Sequence, residues 1–262
     1  MTYIQSIILG IIQGITEPLP ISSSGHLEIL QEFMKLENND LTFEVFLNFG
    51  SLIAIVFIYR KLLSRIFSNT IKYVKTKDQK FHNDFKYFYL VFFASIPAAI
   101  IGLLFEDTIE KYFTNSLTTG LMLLVTGLFL FIIRKFDGTK DISDMNIKDS
   151  FFIGFAQSIA LIPGISRSGS TIVGSMFKNL KRQVAFDFSF LMYIPVSVGV
   201  FASKINEVKF NENFIKIFIG CLFSLVVTYF ATKWFRSLVI KGKLVYFSYY
   251  CFAMGLFALI VV

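Results

Sequence analysis

Apolar residues occur along the chain in long blocks, which short polar and mostly basic segments separate. Six of these blocks have about the length that a helix needs to cross a bilayer. The pattern predicts six spanning helices, at roughly 41–59, 87–105, 118–133, 184–202, 214–232 and 244–262.

Two further apolar segments are broken by residues that interrupt helices. The first covers about 4–33 and is interrupted at Pro18 and Pro20, and the second covers about 151–177 and is interrupted at Pro163 and Gly164. Proline removes a backbone donor, and irregular backbone is tolerated at membrane depth only inside protein or beside a cavity. Each segment is therefore predicted to be a re-entrant hairpin of two half-length helices.

The two broken segments repeat one another at an offset of 144 positions. Seven of sixteen aligned positions are identical, and most of them are not aliphatic: Gly10 and Gly154, Gln13 and Gln157, Ile15 and Ile159, Ile21 and Ile165, Ser22 and Ser166, Ser24 and Ser168, Gly25 and Gly169. We predict one integral membrane domain, 1–262, with repeats at about 1–135 and 150–262. Each repeat has a hairpin and three spanning helices, and because three is odd the second is inverted.

Composition favours the same class of protein. Hydrophobic residues make up 55% of the chain, and 33 residues are Phe. The mean hydropathy is +0.65. A protein whose surface faces water could not bury so large a share of apolar side chains. The net charge of +7 comes from basic residues that lie between the apolar blocks rather than on one stripe, so no nucleic acid is expected. Membrane lipids are the predicted surroundings.

The basic residues also predict an orientation. In the six-span arrangement most of the 25 Lys and Arg residues lie on one side, which the positive-inside rule makes cytoplasmic. Both termini and the mouth of the first hairpin then face outward, and the second hairpin enters from the cytoplasm. The two bends should meet within the bilayer, where inverted-repeat proteins place their sites.

The bends carry polar chemistry that membranes disfavour. "EPLPISSSGH" (17–26) and "PGISRSGST" (163–171) together hold a carboxylate, an imidazole, a guanidinium and a set of hydroxyls, and ionisable groups at that depth are expensive. Ser22, Ser23 and Ser24 stand where a half-helix begins, where backbone N–H groups attract anions. The Arg167 guanidinium can hold two phosphate oxygens at once. The combination suits a phosphate group.

Several roles stay open from the residues alone. His26 follows Ser22 by four residues and Ser23 by three, so either hydroxyl could be a nucleophile with His26 as base, or His26 could be the nucleophile or proton donor itself. Glu17, four residues after Gln13, could help to hold a divalent cation. Structural readings compete: serine caps, close packing at glycines, and a buried Glu–Arg ion pair.

The same residues carry a family resemblance. "QGITEPLPISSSGH" (13–26) and "AQSIALIPGISRSGST" (156–171) resemble the two signature motifs of the undecaprenyl-diphosphate phosphatases, or bacitracin-resistance family, and blocks that begin at Phe43, Ser95 and Phe186 extend the resemblance over nearly the whole chain. It implies hydrolysis of undecaprenyl diphosphate to the monophosphate and inorganic phosphate, with a divalent cation (Mg²⁺ or Ca²⁺). The expected place is the outer face of the bacterial cytoplasmic membrane. Recycling of the carrier would support peptidoglycan synthesis and confer bacitracin tolerance.

Site residues follow from the resemblance by position. It implies catalytic roles for Glu17, Ser23, His26 and Arg167, and a metal site at Glu17 with Gln13. The residues expected around the diphosphate are Gln13, Ser22, Ser24, Gly25, Ser166, Ser168, Gly169 and Thr171. The chain departs from the family at Pro18, where phenylalanine is usual, and at Asn48, where histidine or glutamine is usual.

Two other functions compete with this one. The acid phosphatases that act on phosphatidate also use Ser-Gly-His and Ser-Arg motifs, but they need a histidine about six residues after the arginine, where this chain has Val173. A transporter or flippase of the polyprenyl phosphate carrier is a different class, because inverted repeats with broken helices are a transporter architecture. Whether the chain acts as a monomer or a homodimer stays open.

Overall fold

The computed structural model describes residues 1–34, 36, 41–113, 115–205 and 214–261. Single-turn 3₁₀ helices occur at Gln79–Phe81 and at Ile142–Asp144. The α-helices of the described residues are α1 (Tyr3–Thr16), α2 (Ser23–Phe33), α3 (Leu41–Thr76), α4 (His82–Phe113), α5 (Ser116–Ile133), α6 (Ile147–Ile159), α7 (Arg167–Phe177), α8 (Arg182–Lys204), α9 (Phe214–Ile240) and α10 (Val245–Val261).

Each predicted spanning block lies within one of these helices, apart from its ends. Five helices, α3, α4, α5, α8 and α9, are long and apolar enough to cross a membrane, whereas α10 is a shorter apolar helix. Residue 262, the predicted end of the sixth span, lies outside the described residues. The all-helical architecture with five long apolar helices indicates a membrane protein.

The two broken segments form pairs of short helices. The first break separates α1 from α2 between Thr16 and Ser23, and the second separates α6 from α7 between Ile159 and Arg167. Pro18 and Pro20 lie in the first break and Pro163 lies in the second. Pro18 stops α1 directly, because it cannot donate the backbone hydrogen bond that would follow the one from Glu17 N to the Gln13 carbonyl oxygen. α6 instead ends in tight turns, in which Ala160, Leu161 and Ile162 donate to carbonyl oxygens three residues back, just before Pro163.

Small residues allow the short helices to lie against long ones. α1 packs on α9, and α6 packs on α4. A Cβ atom at Gly10 would clash with the backbone of Gly220, and one at Gly154 would clash with the Ala94 carbonyl. Glycine at these positions brings the backbones into direct contact.

The interior combines apolar side chains with paired hydroxyls. Phe186, Phe190 and Tyr193 on α8 are fully or almost fully buried in the largest apolar cluster. Ser51 on α3 forms hydrogen bonds of 2.9 Å with Ser224 and with Thr228 of α9. These hydroxyls join two long helices without leaving a buried donor unpaired.

Each break touches the short helix that follows the other break. Ser168 Oγ donates to the Leu19 carbonyl oxygen at 3.0 Å, and a Cβ atom at Gly25 would lie 3.4 Å from the Gly164 Cα atom. The polar residues of both segments are thereby gathered in one place.

Candidate active site

The Glu17 carboxylate is the centre of the cluster. Its Oε2 atom accepts hydrogen bonds from Ser23 Oγ at 2.5 Å and from Gln13 Nε2 at 3.0 Å. Its Oε1 atom forms an ion pair with Arg167 Nη2. The pair joins the first break to the start of α7, and the Glu17 side chain is only 6% exposed.

Arg167 is held in place by its neighbours, but one of its guanidinium nitrogens has no hydrogen-bond partner among the described residues. The group lies over the Tyr193 ring, 3.8 Å from its centroid, which favours a cation. The Tyr193 hydroxyl donates to the Asn48 carbonyl oxygen at 3.2 Å. Arg167 Nη1 is buried and has no hydrogen-bond partner among the described residues. A buried donor of this kind is a ready partner for an anionic oxygen.

The serines open the two short helices in the same way. Ser22 Oγ accepts from the Gly25 N–H at 3.3 Å, and Ser166 Oγ accepts from the Gly169 N–H at 3.1 Å, so each serine is an N-cap. Ser24 and Ser168 place their hydroxyls 3.3 Å from the capping oxygens.

The backbone of Ser22 is in the left-handed region, with φ +66°. A residue other than glycine rarely adopts this conformation, which is found preferentially at functional sites. The strained turn places the Ser22 carbonyl against the His26 ring, where Nδ1 and the carbonyl oxygen are 2.7 Å apart.

His26 is fixed through both ring nitrogens. Because a carbonyl oxygen only accepts, Nδ1 carries the proton toward Ser22. Nε2 lies 2.7 Å from the Tyr250 hydroxyl, and the two rings stack with centroids 5.6 Å apart. In the neutral imidazole, Nε2 therefore accepts from Tyr250. The serine that His26 contacts is Ser22, through its backbone, while Ser23 bonds to Glu17 instead.

The structure brings most of the expected site residues together. Around the two helix starts it gathers Gln13, Glu17, Ser22, Ser23, Ser24, His26, Ser166, Arg167 and Ser168. Gly25 and Gly169 take part through their backbone N–H groups, which donate to the N-capping serines. A Cβ atom added at either glycine would lie within 3.3 Å of the oxygen of that serine. Thr171 is different, because its hydroxyl bonds to the Arg167 carbonyl at 2.9 Å and to Ser189.

Two contacting residues could not be found from the bends alone. Tyr250 lies on α10, 224 positions beyond His26, and Tyr193 lies on α8 beneath Arg167. Both are aromatic residues in aromatic-rich apolar blocks, so composition does not single them out. The block that begins at Phe186 contained Tyr193, but only as part of a wider resemblance.

A cavity of about 820 Å³ adjoins the cluster. It reaches the two breaks at Ser24 and Pro163, and its other walls come mainly from apolar residues of α4 and α8, among them Phe92, Leu103 and Val200. Glu17, Ser23, His26 and Arg167 do not line it. The exposed Ser24 is the polar link between the cavity and the buried cluster.

This arrangement is chemically suited to a phosphorylated group with an apolar tail. A guanidinium donor without a partner, serine hydroxyls and helix starts provide hydrogen bonds to phosphate oxygens. A serine hydroxyl that donates to a carboxylate has the arrangement that a nucleophile and its base require. The adjoining cavity has the volume of a ligand pocket, roughly 300–1,000 Å³.

Comparison with known proteins gives one family and close relatives. The family model described as "Bacitracin resistance protein BacA" matches residues 6–257. "Undecaprenyl-diphosphatase 1" of Bacillus licheniformis is 43% identical over 265 residues, which cover 99% of this chain and 98% of that protein. "Undecaprenyl-diphosphatase 2" of Bacillus thuringiensis is 41% identical, with 97% and 96% covered. "Undecaprenyl-diphosphatase" of Oceanobacillus iheyensis is 39% identical, with 99% and 96% covered.

Proposed function

Because the chain belongs to the bacitracin resistance protein BacA family, we propose that it hydrolyses undecaprenyl diphosphate to undecaprenyl phosphate and inorganic phosphate at the cluster around Glu17. Relatives that match almost its whole length carry the name undecaprenyl-diphosphatase. The enzyme is a phosphoric anhydride hydrolase, and recycling of the carrier lipid supports peptidoglycan synthesis and bacitracin tolerance.

The observation that carries the site assignment is the convergence of Ser23 and Arg167 on Glu17. Ser23 Oγ donates to Oε2 at 2.5 Å, and Arg167 pairs with Oε1 while its buried Nη1 atom has no described partner. A diphosphate oxygen bound to Nη1 would stand beside the Ser23 hydroxyl. Ser23 as nucleophile, Glu17 as proton acceptor and Arg167 as anion-binding group are then in direct contact with one another or with the diphosphate.

In the proposed first step, Ser23 Oγ attacks the terminal phosphorus and its proton passes to Glu17. The bond from that phosphorus to the bridging oxygen breaks, and undecaprenyl phosphate leaves without needing a proton, because the second pKa of a phosphate monoester is about 6. Water then attacks the phosphoserine and gives one proton to Ser23 Oγ as inorganic phosphate departs. Glu17 releases its proton to solvent, which completes the balance.

His26 is proposed to orient the serine turn and to move a proton on the second step. Its Nδ1–H bond to the Ser22 carbonyl fixes the tautomer and leaves a basic Nε2 atom. Tyr250 holds that atom at 2.7 Å. The imidazole can take the proton of the attacking water and return it to the leaving Ser23 Oγ atom, so that no net proton stays on His26, which is the usual work of a positioned histidine.

A divalent cation, Mg²⁺ or Ca²⁺, is proposed to act beside Glu17. Glu17 and the Gln13 amide oxygen are hard oxygen donors of the kind these ions take, but no group of three or more His, Cys, Asp or Glu side chains that could hold a metal ion occurs among the described residues. A cation held here would need substrate oxygens and water as further ligands, as Mg²⁺ commonly does. When bound, it would neutralise charge on the diphosphate.

The cavity is proposed to receive the first part of the prenyl chain. It meets the cluster at Ser24 and is walled by apolar side chains of α4 and α8. A C55 chain is far too long to be enclosed in about 820 Å³, so the remainder would lie among membrane lipids. The head group would then approach the serines from the cavity side.

We further propose that the fold is an inverted repeat of two interlocked halves, with six spanning helices and two re-entrant hairpins. Matched contacts support it: Ser6 Oγ donates to the Lys216 carbonyl, and Ser150 Oγ donates to the Leu90 carbonyl. The two serines are 144 positions apart, the offset of the sequence repeat, and the Gly10 and Gly154 contacts follow the same offset. The basic side would be cytoplasmic, and the site would open to the outer face.

Phosphate release from C55 diphosphate tests the function directly. The purified protein is assayed with and without Mg²⁺ or Ca²⁺, together with Glu17→Gln, His26→Ala and Arg167→Ala. We expect turnover by the wild type and a loss of at least a hundredfold in Glu17→Gln and Arg167→Ala, the scale on which a charge-stabilising group acts. Wild-type turnover no faster than all three variants would exclude this site, and head-group flipping in liposomes by the same variants would then favour a lipid transporter.

A further inference from the structure

Helix α8 contacts Arg167 at two levels, at its side chain and, through one intermediate residue, at its backbone. Ser189 and Tyr193 are four residues apart on α8, so both lie on one face of that helix. The Tyr193 ring lies under the guanidinium, with Cζ 3.8 Å from the ring centroid. Ser189 Oγ forms a hydrogen bond with Thr171 Oγ1, and Thr171 Oγ1 donates to the Arg167 carbonyl oxygen at 2.9 Å.

The Tyr193 ring is itself fixed in place. Its hydroxyl donates to the Asn48 carbonyl oxygen at 3.2 Å and lies 3.3 Å from Asn48 Oδ1, and the residue is 1% exposed. A guanidinium is planar and stacks on an aromatic face, so the orientation of the ring sets the plane of the group above it. Glu17 holds Nη2 at one edge of that plane. Face and edge contacts together define where the unpaired Nη1 atom lies.

The Thr171 hydroxyl has no hydrogen left for a phosphate oxygen. It carries one proton, which it donates to a backbone carbonyl of its own helix, so the bond between Thr171 and Ser189 takes its proton from Ser189. Both residues are completely buried. The family resemblance places Thr171 around the diphosphate, whereas these bonds tie it to the first residue of α7 and to α8.

We propose that Tyr193, with Ser189 and Thr171, positions Arg167 so that Nη1 is held ready for a diphosphate oxygen. A free guanidinium and a carboxylate favour a two-bond pair, and such a pair with Glu17 would occupy Nη1 as well as Nη2. The fixed ring stabilises the one-bond arrangement by stacking beneath the cation. A donor that is already oriented needs no rearrangement when the substrate binds. The effect on turnover rests on the proposed function, whereas the position of Arg167 does not.

A double-mutant cycle on phosphate release from C55 diphosphate tests the coupling. Tyr193→Leu removes the aromatic face, and Tyr193→Phe keeps it. We expect kcat/KM to fall by about tenfold or more in Tyr193→Leu and by less than about threefold in Tyr193→Phe, because stacking beneath a desolvated cation is the larger contribution. In an Arg167→Ala background, Tyr193→Leu should cost less than about threefold, because the group that the ring positions is absent.

Thr171→Val tests the backbone contact in the same way. It removes one hydrogen bond and keeps the shape of the side chain, so kcat/KM should fall by roughly three- to tenfold. This loss should disappear in the Arg167→Ala background, whereas a threonine that contacts phosphate directly would cost the same in both backgrounds. Phe188→Leu is the matched control, because it removes a fully buried ring of α8 that stacks on Tyr87 instead of Arg167. Its effect should be equal in the two backgrounds.

NMR of the full chain in detergent, with ¹⁵N-labelled arginine, reads the position of Arg167 without substrate. Arg167→Lys identifies the Nε–H resonance, which the ring current of a stacked aromatic side chain shifts upfield. Tyr193→Leu should move this resonance downfield, and Tyr193→Phe and Phe188→Leu should leave it in place. An unmoved resonance in Tyr193→Leu, or an equal loss of kcat/KM in both backgrounds, would overturn the proposal. If the wild type releases no phosphate the proposed function fails, and the resonance still decides whether Tyr193 fixes Arg167.

Discussion

Glu17 in the first break and Arg167 at the start of α7 form a largely buried ion pair that joins the two pairs of short helices. The pair is surrounded by Ser23, which donates to the same carboxylate, and by the Tyr193 ring beneath the guanidinium. The two residues are 150 positions apart, so neither hairpin can assemble this contact alone. Site and fold therefore depend on one another at this point.

The pair predicts that Arg167→Lys is not a conservative change. Lysine keeps the positive charge but lacks the planar guanidinium group, in which Nη2 pairs with Glu17 while Nη1 remains available to an anion. It also loses the stacking of that group on the Tyr193 ring. We expect phosphate release to fall by roughly a hundredfold, with smaller loss of stability than in Arg167→Ala, which leaves Glu17 unpaired at a penalty of about 3–5 kcal/mol. Steady-state kinetics and thermal unfolding in detergent measure the two effects. Equal activity of Arg167→Lys and the wild type would contradict the role of the fork.

Tyr250 is predicted to act on the reaction through His26. Tyr250→Phe removes the hydroxyl at 2.7 Å from Nε2 but keeps the stacked ring, so the histidine retains its position and loses a donor. We expect kcat to fall by about tenfold, the value of one hydrogen bond of roughly 1.4 kcal/mol, and the pH profile of kcat to shift. The matched control is Tyr249→Phe, whose ring is 56% exposed and should leave the profile unchanged. A Tyr250→Phe enzyme with a wild-type pH profile would show that the contact is structural.

The helices of this chain could be predicted from its apolar blocks, but their ends could not. The block predicted at 41–59 is part of α3, which continues to Thr76, because the basic segment after Tyr59 contains no glycine or proline to stop it. The breaks between the short helices were easier to predict, since Pro18, Pro20 and Pro163 mark them.

The candidate site could be located from the sequence through the repeat and the family motifs, but its long-range contacts could not. Ser22 and Ser166, aligned at the offset of 144 positions, are both N-caps. The hydrogen-bond partners of His26 differ from the predicted ones. The sequence favoured the neighbouring serine hydroxyls, whereas the ring bonds to the Ser22 backbone carbonyl and to Tyr250 of α10. Long-range packing decides the contact with Tyr250, and no local pattern encodes it.

Glycine at the contact between α6 and α4 is predicted to be required for stability. Gly154→Ala places a methyl group against the Ala94 carbonyl, where the backbones cannot easily separate, so we expect a loss of about 1–3 kcal/mol. Gly10→Ala at the matching contact of α1 should behave alike. Gly199→Ala is the control, because nothing lies within 4 Å of its added Cβ, and it should not destabilise the fold. Thermal unfolding in one detergent compares the three, and tolerance of Gly154→Ala would speak against this packing.

We predict that the fold loses stability at low pH through Asp149, which lies in the first turn of α6. Burial alone would raise the pKa of this carboxyl, but hydrogen bonds from Lys178, the Asn146 backbone and Lys140 outweigh it and lower the pKa below its ordinary 3.8. A lowered folded-state pKa stabilises the fold above the ordinary value, and the contribution is lost as pH falls through the folded pKa. The wild type should therefore exceed Asp149→Asn in melting temperature at pH 6, and the difference should shrink below pH 4.

The control for this acid dependence is Asp137→Asn, which alters a carboxylate that is 70% exposed and 3.5 Å from Arg182. Screening makes such a surface pair worth little, so its melting curve should follow the wild type at every pH. If Asp149→Asn and the wild type differ by the same amount at pH 3 and pH 6, the carboxylate does not stabilise the fold through its charge.

The orientation of the chain in the membrane is predicted by its basic residues and can be read at two exposed positions. Lys75, at the end of α3, lies in the basic segment before α4, and Lys111 lies near the far end of α4. Since α4 contains a span long enough to cross the bilayer, the two positions should be on opposite sides. In a background with Cys221 and Cys251 replaced by serine, Lys111→Cys should react with an impermeant maleimide in intact cells, and Lys75→Cys should react only after lysis. The reverse pattern would place the mouth of the first hairpin, and with it the cavity beside Ser24, on the cytoplasmic side.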